Sequence, residues 1–261
     1  MNWKSINIIG IIAVLLVNLS CGTSEDETPR IAEPYKEQHR PQFHFSPKES
    51  QINHLNQMIY YEDEYHLFYQ QSSIDDKDEM SWSHAVSSDL VHWEDLPTAL
   101  KSDSSIISEN MIGSTRKRPD LIELKIEGTD ETKWVMLLTT GNEGEKSAPN
   151  GGSGTQYFVG DFDGKTFTNI NSKETTLWLD YGRDNYGGIT WSDISAEDGR
   201  SLFVGLMNNL DYVEAVPTSV WQSVMTIPRE LSLKNTENGL RLSSAPVKEL
   251  QALRRKKVSV D

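Results

Sequence analysis

At 261 residues the chain has length for one large domain or two small ones, with ample material for a hydrophobic core. A formal net charge of −14 excludes a protein that tracks nucleic-acid phosphates, because that work needs a cationic face. Cys21 is the one cysteine, so a disulfide framework within the chain is excluded as well.

In chain order, residues 1–20 read as a targeting segment. Lys4 supplies a positive charge, and Ile6 to Val17 is an apolar run broken by Asn7 and Gly10. A run of twelve residues is too short to span a bilayer as a helix but suits a signal-peptide core. Leu19-Ser20-Cys21-Gly22 follows and resembles the lipid-attachment site of bacterial lipoproteins, although Asn18 stands where an aliphatic residue is usual. The expectation is a lipid anchor on Cys21 at the outer surface of a bacterial envelope, with plain secretion as the alternative. Residues 21–33 then read as an acidic flexible tether, opened by Ser24-Glu-Asp-Glu27. The membrane enters only through that anchor. Near the other end, Arg254-Arg-Lys-Lys257 reads as a solvated basic run.

From residue 34 onward the signals are strands and tight turns. Met58–Tyr61 and Tyr65–Tyr69 flank Glu62-Asp-Glu64 as a hairpin. Gln156–Phe162 and Lys165–Thr168 meet across Asp163-Gly164, a dipeptide suited to a type I′ turn. Glu230–Leu233 and Leu240–Leu242 flank a loop with Asn238-Gly239. Lys133–Leu138 and Ser201–Gly205 read as deeply buried strands. No segment past residue 20 sustains helical periodicity for three turns. This is an all-β pattern, and it leaves sandwich, barrel and propeller open. No cofactor or metal is implied. Asn150-Gly-Gly-Ser-Gly154 lacks the Lys-Ser/Thr and helix of a phosphate loop, and reads as a flexible loop. Asp161-Phe-Asp-Gly164 lacks the later ligands of a calcium loop.

Six blocks occur in an order that resembles glycoside hydrolase family 32, the invertase, levanase and inulinase family. They are RPQFHFSP from Arg40, YHLFYQ from Tyr65, MSWSHAVSSDLVHW from Met80, GTQYFVGDFDGKTF from Gly154, LDYGRDNYGGITWSD from Leu179 and PTSVWQSVMTIPREL from Pro217. The resemblance implies a five-bladed β-propeller over residues 34–261, with a pocket where a terminal fructose of sucrose or a fructan is cleaved with retention. It also implies an incomplete propeller. Between Leu96–Leu100 and Pro119-Asp120 the family carries more than one whole blade, whereas this chain has residues 101–118. The β-sandwich that normally follows the propeller is not in the sequence.

Retaining hydrolysis of a fructosyl bond needs one carboxylate to attack the anomeric carbon and a second to protonate the leaving oxygen and then activate water. In the resemblance, His54 of Gln51-Ile-Asn-His-Leu-Asn-Gln57 stands at the nucleophile position and Lys117 of Lys117-Arg-Pro-Asp120 at the acid/base position. The Arg-Asp-Pro motif has no counterpart. Leu206-Met-Asn-Asn-Leu210 stands where the family has two sugar-facing tryptophans, and Lys77 where it has another. Asn53, Gln70 and Asp184 match residues that contact the sugar. The expectation is a fructosidase homologue without its catalytic set, either fructan-binding or vestigial. A residual glycosidase using other carboxylates, among them Asp120, Glu123, Asp180 or Asp184, is the alternative.

Overall fold

A computed structural model describes residues 35–74, 80–101, 119–140 and 148–255, all within the unit Pro34–Asp261. Cys21, Lys77 and Lys117 lie outside these residues, as do the targeting segment and the tether. The described residues form three sheets. Sheet I contains β1 (Ser50–Tyr61), β2 (Glu64–Ser72), β3 (Met80–Ser87) and β4 (Glu94–Lys101). Sheet II contains β5 (Pro119–Lys125), β6 (Thr132–Thr140), β7 (Gly154–Phe162) and β8 (Phe167–Asn169). Sheet III contains β9 (Tyr186–Thr190), β10 (Ser201–Leu206), β12 (Arg229–Thr236) and β13 (Gly239–Pro246). The short β11 (Trp221–Gln222) joins sheet I, parallel to the start of β1. Each sheet is otherwise an antiparallel meander of four strands, which is the blade unit of a propeller. Helical structure among the described residues is confined to two 3₁₀ turns, Val213–Ala215 and Lys248–Leu253.

Sheet III lies between the other two, and β10 shows why its sequence is apolar without alternation. Leu202, Val204 and Leu206 point one way and join Ile52, Leu55, Met58, Leu67 and Tyr69 of sheet I. Phe203 points the other way and joins Leu231 and Leu233 of its own sheet with Leu124, Val135, Leu137 and Val159 of sheet II. A strand covered on both faces reads as a continuous hydrophobic run. Each such side chain contributes about 1.5–3 kcal/mol by leaving water. The Phe203 ring lies over Gly188 of β9, where a Cβ would come within 2.2 Å of its Cζ.

Backbone bonds close the two seams. Between sheets I and III, the Ser192 N–H donates to the Met58 carbonyl at 2.9 Å and the Tyr60 N–H to the Ser192 carbonyl at 3.0 Å. Between sheets II and III, the Glu127 N–H donates to the Leu233 carbonyl at 2.8 Å.

The turns show where local chemistry decides. The β1–β2 hairpin turns on Glu62-Asp63 alone, both at positive φ (50° and 64°), and Glu64 already belongs to β2. The β12–β13 hairpin ends on Gly239, at φ 93° opposite Thr236. Asp163-Gly164 departs from the expected two-residue turn. Phe162 pairs with Phe167, so four residues form the loop, and only Gly164 of the pair has positive φ. Asp163 Oδ1 accepts the N–H groups of Lys165 and Thr166, and that side-chain clasp favours the longer turn. Asp89 works the same way after β3, accepting the Val91 and His92 N–H groups and facing the His92 ring. Although burial pushes its carboxyl up, these bonds hold it down to about 2.

Candidate functional site

β1 carries the residues around His54, and its register is irregular in two places. Ile52 pairs with Gln71 and His54 with Gln70, so Asn53 is an extra residue. Leu55 pairs with Tyr69 and Gln57 with Phe68, so Asn56 is another. Both asparagines are β-bulges, devices that bend a strand and re-aim its side chains beside functional sites. The bulges also change the period of the buried face. Ile52, Leu55 and Met58 are all buried, three residues apart rather than two, because each interval contains one bulged residue. His54 is thereby held exposed at the surface of β1, directly opposite Gln70. Gln70 is only 6% exposed, and Asn53 is half-buried with its Oδ1 accepting the Ser72 hydroxyl at 3.5 Å. Asn53, His54 and Gln70 thus lie together on β1 and β2.

Asp184 lies away from these strands, in the bend that leads into β9 of sheet III. Its carboxylate accepts the Tyr212 hydroxyl, and the Arg183 guanidinium lies over the Tyr212 ring at 5.3 Å while donating to Asp211 at 2.7 Å. Burial, and then the Asp184 carboxylate, push the Tyr212 hydroxyl up to about 12.

Asn209, fully buried, organises this region. Its Nδ2 donates to the Gly151, Ser153 and Arg183 carbonyls and its Oδ1 accepts the Asp211 N–H. The loop through Gly151-Gly152, both at positive φ, is therefore clasped by a side chain and not left open as its glycines suggest. A Cβ on Gly152 would overlap Asn209 Oδ1 at 1.9 Å, so glycine there is a packing requirement. Sequence reading singled out the flanking leucines of Leu206–Leu210 and passed over Asn209. Leu206 itself is core, 1% exposed against sheet I, and Leu210 reaches the surface at 37%. Leu206 thus stands as a packing residue and not as a sugar-facing one.

The other carboxylates have structural occupations. Asp120 Oδ2 accepts both the N–H of Thr190 at 2.7 Å and its hydroxyl at 2.9 Å, tying β5 to β9. Burial raises its carboxyl above the ordinary range, with the Thr190 bonds opposing. Asp180 accepts the Gly182 N–H at 2.6 Å and faces Arg229 at 3.7 Å. Glu123, at the surface, accepts the Thr132 hydroxyl at 2.6 Å.

Comparison with known proteins agrees with this architecture. The family described as glycosyl hydrolases family 32 N-terminal domain matches residues 44–115 and 106–246. Levanase of Bacillus subtilis (strain 168) is 33% identical over 332 aligned residues, covering 84% of this chain and 48% of the relative. Levanase of Bacillus sp. (strain L7) is 26% identical, covering 84% of this chain and 36% of that one. The chain therefore spans half or less of the length of these relatives. The crystal structure of exo-inulinase from Aspergillus awamori superimposes with a TM-score of 0.68 at 22% identity, covering 82% of this chain and 68% of that chain.

On the order of a hundred positions of the first levanase alignment hold no residue from this chain, about two blades at roughly 40–50 residues each. The family match breaks into its two segments over residues 106–115, between β4 and β5. Three four-stranded sheets on one side and about two missing blades on the other account for a propeller of five. The chain belongs to glycoside hydrolase family 32, as an internally shortened form of its β-propeller.

Proposed function

We propose that this member of the family binds fructose-based carbohydrate, a fructan or sucrose, and does not hydrolyse it. The carrying observation is His54, an imidazole on the bulged strand β1 at the position that the family's motif gives to the nucleophile. The fructosyl transition state resembles an oxocarbenium ion, which a carboxylate stabilises by charge and a neutral imidazole does not. Lys117 at the acid/base position deepens the deficit, since an ammonium with an ordinary pKa of about 10.4 is a poor proton donor at neutral pH. The bonds made by Asp120 and Asp180 give each a structural task, and Asp184 is a sugar contact in this reading, so no observation favours a relocated pair. Asn53, Gln70 and Asp184 supply the polar contacts in this reading.

Purified protein should release no fructose from sucrose, inulin or levan above the background of a Gln70→Ala variant. The double change His54→Asp with Lys117→Glu should stay silent too, because restoring two carboxylates does not restore the Arg-Asp-Pro motif or the missing blades. Fructose release by wild-type protein, in a preparation free of contaminating hydrolase, sinks the non-hydrolytic reading. Release by the double variant alone shows instead that the pocket survives the shortening.

The same reading places the protein on the bacterial cell envelope, tethered by a lipid on Cys21. Wild-type protein should partition with membranes and incorporate labelled fatty acid, and Cys21→Ala should abolish both. Recovery of all wild-type protein in the soluble secreted fraction decides for secretion. Each acyl chain contributes about 0.8 kcal/mol per buried CH₂, so several together hold a polar domain at a membrane surface.

A further inference from the structure

The geometry points to a separate binding site for a single neutral sugar ring, in the cleft between the segment around Phe43 and the start of β4. The cleft has a volume of about 260 Å³ and is lined by Tyr35, Gln42, Phe43, His44, Trp93 and Asp95 among others. That is just below the roughly 300–1,000 Å³ of ordinary small-molecule sites, which suits one ring rather than a chain. None of these residues belongs to the set around His54, and the inference does not depend on that set binding anything.

The walls are aromatic. Phe43 is 49% exposed, a large apolar ring facing water beside His44, with ring centroids 4.8 Å apart. Trp93 is half-buried, with its edge set against Phe45 at 5.6 Å. An aromatic face with polar groups at its margin matches a pyranose or furanose ring, which is apolar on its C–H face and polar at its edge.

The margin is rich in hydrogen-bond acceptors. The Asp95 carboxylate accepts the Tyr35 hydroxyl at 2.8 Å, leaving part of its roughly four-site accepting capacity. His44 Nδ1 lies 2.8 Å from the Met225 carbonyl, so Nδ1 carries the proton and donates it. Burial disfavours the charged ring, which leaves Nε2 as an acceptor. Gln42 Nε2 donates to the Arg40 carbonyl at 3.0 Å, leaving its oxygen to accept. Acceptors of this kind pair with hydroxyl donors.

Anions fit poorly. Asp95 repels them, and the neighbouring Arg40 has no N–H left to offer. Its five donors go to Glu37 twice, to Ser46, and to the Pro47 and Lys48 carbonyls. Its faces are covered by Tyr35 and Trp221, at 4.9 and 4.7 Å.

Saturation-transfer NMR on the whole protein, with D-fructose, D-glucose and tetramethylammonium chloride as probes, tests the assignment. Transfer to sugar ring protons is expected with wild-type protein and with Asp184→Ala. Phe43→Ala and Asp95→Ala should each weaken the apparent affinity about tenfold or more. Both side chains are exposed, so the folded state survives either change. In the Asp184→Ala background, where the other residues are disabled, equal transfer with and without Phe43→Ala overturns the site, and loss of transfer in Asp184→Ala alone assigns the sugar to the other residues. Saturation by tetramethylammonium without sugar binding overturns it too, because aromatic walls around a carboxylate also suit a cation.

Discussion

Phe203→Ala should lower the free energy of unfolding by about 3–5 kcal/mol, read as a fall in the urea midpoint at unchanged slope. Phe203 is fully buried at the centre of β10, and its ring fills the space between sheet III and sheet II. The neighbours cannot collapse into the void, because they are held by β ladders on both sides. Gly188→Ala attacks the same contact from the opposite direction. Its Cβ would meet Phe203 Cζ at 2.2 Å and the Val204 carbonyl oxygen at 2.6 Å. The ring can move but the carbonyl cannot, so Phe203→Leu should relieve only part of the Gly188→Ala penalty in a double-mutant cycle. A change below about 1 kcal/mol for Phe203→Ala would show that the seam between sheets II and III is not packed as described.

Arg40→Ala should cost about 3–5 kcal/mol, the range for removing one partner of a buried pair. The Arg40 side chain has no exposed surface, and its partner Glu37 has 10%. Loss of the guanidinium strands the Glu37 carboxylate, two carbonyls and the Ser46 hydroxyl at once. Arg40→Lys should rescue little, since an ammonium has neither the planar fork for Glu37 nor a flat face to lie between Tyr35 and Trp221. The bond from Arg40 holds the Glu37 carboxyl below the usual carboxylate range, with burial opposing. A lowered folded pKa means stability present above the unfolded value and lost as pH falls through the folded one. In acid titrations wild type and Arg40→Ala should therefore converge as pH drops. Equal urea midpoints for Arg40→Lys and wild type would show that charge alone, and not the fork, does the work.

How much of the fold and the site is legible in the sequence follows the physics of each part. β10 was legible as a buried strand because Ser201–Gly205 is apolar without alternation. The hairpin at Glu62 was legible from the aromatic strand runs that flank it, and the one ending at Gly239 from Asn238-Gly239, a dipeptide suited to tight reversal. β1 was harder. Ile52, Leu55 and Met58 repeat at three, a spacing nearer a helix face than a strand, and only the pairing with β2 shows that Asn53 and Asn56 are bulges. Asn53, His54 and Gln70 were identified from the motif, and the ladder brings them together. The motif could not tell that Leu206 faces the core, because alternation along β10 must be counted from a neighbour whose direction is known. Asn209 was missed for a different reason. Its partners, at residues 151, 153 and 183, are distant in sequence, and a lone asparagine carries no local sign of how many carbonyls it serves.

Sheet III gives the shortened chain its tolerance. Both hydrophobic seams among the described residues use sheet III, one on each of its faces, and the segment without counterpart falls between β4 of sheet I and β5 of sheet II. An excision there interrupts neither seam. Removal of β9 through β13 would abolish both at once. In a ring of blades, the position of a deletion thus matters more than its size, and a loss between the outer two sheets leaves both seams standing.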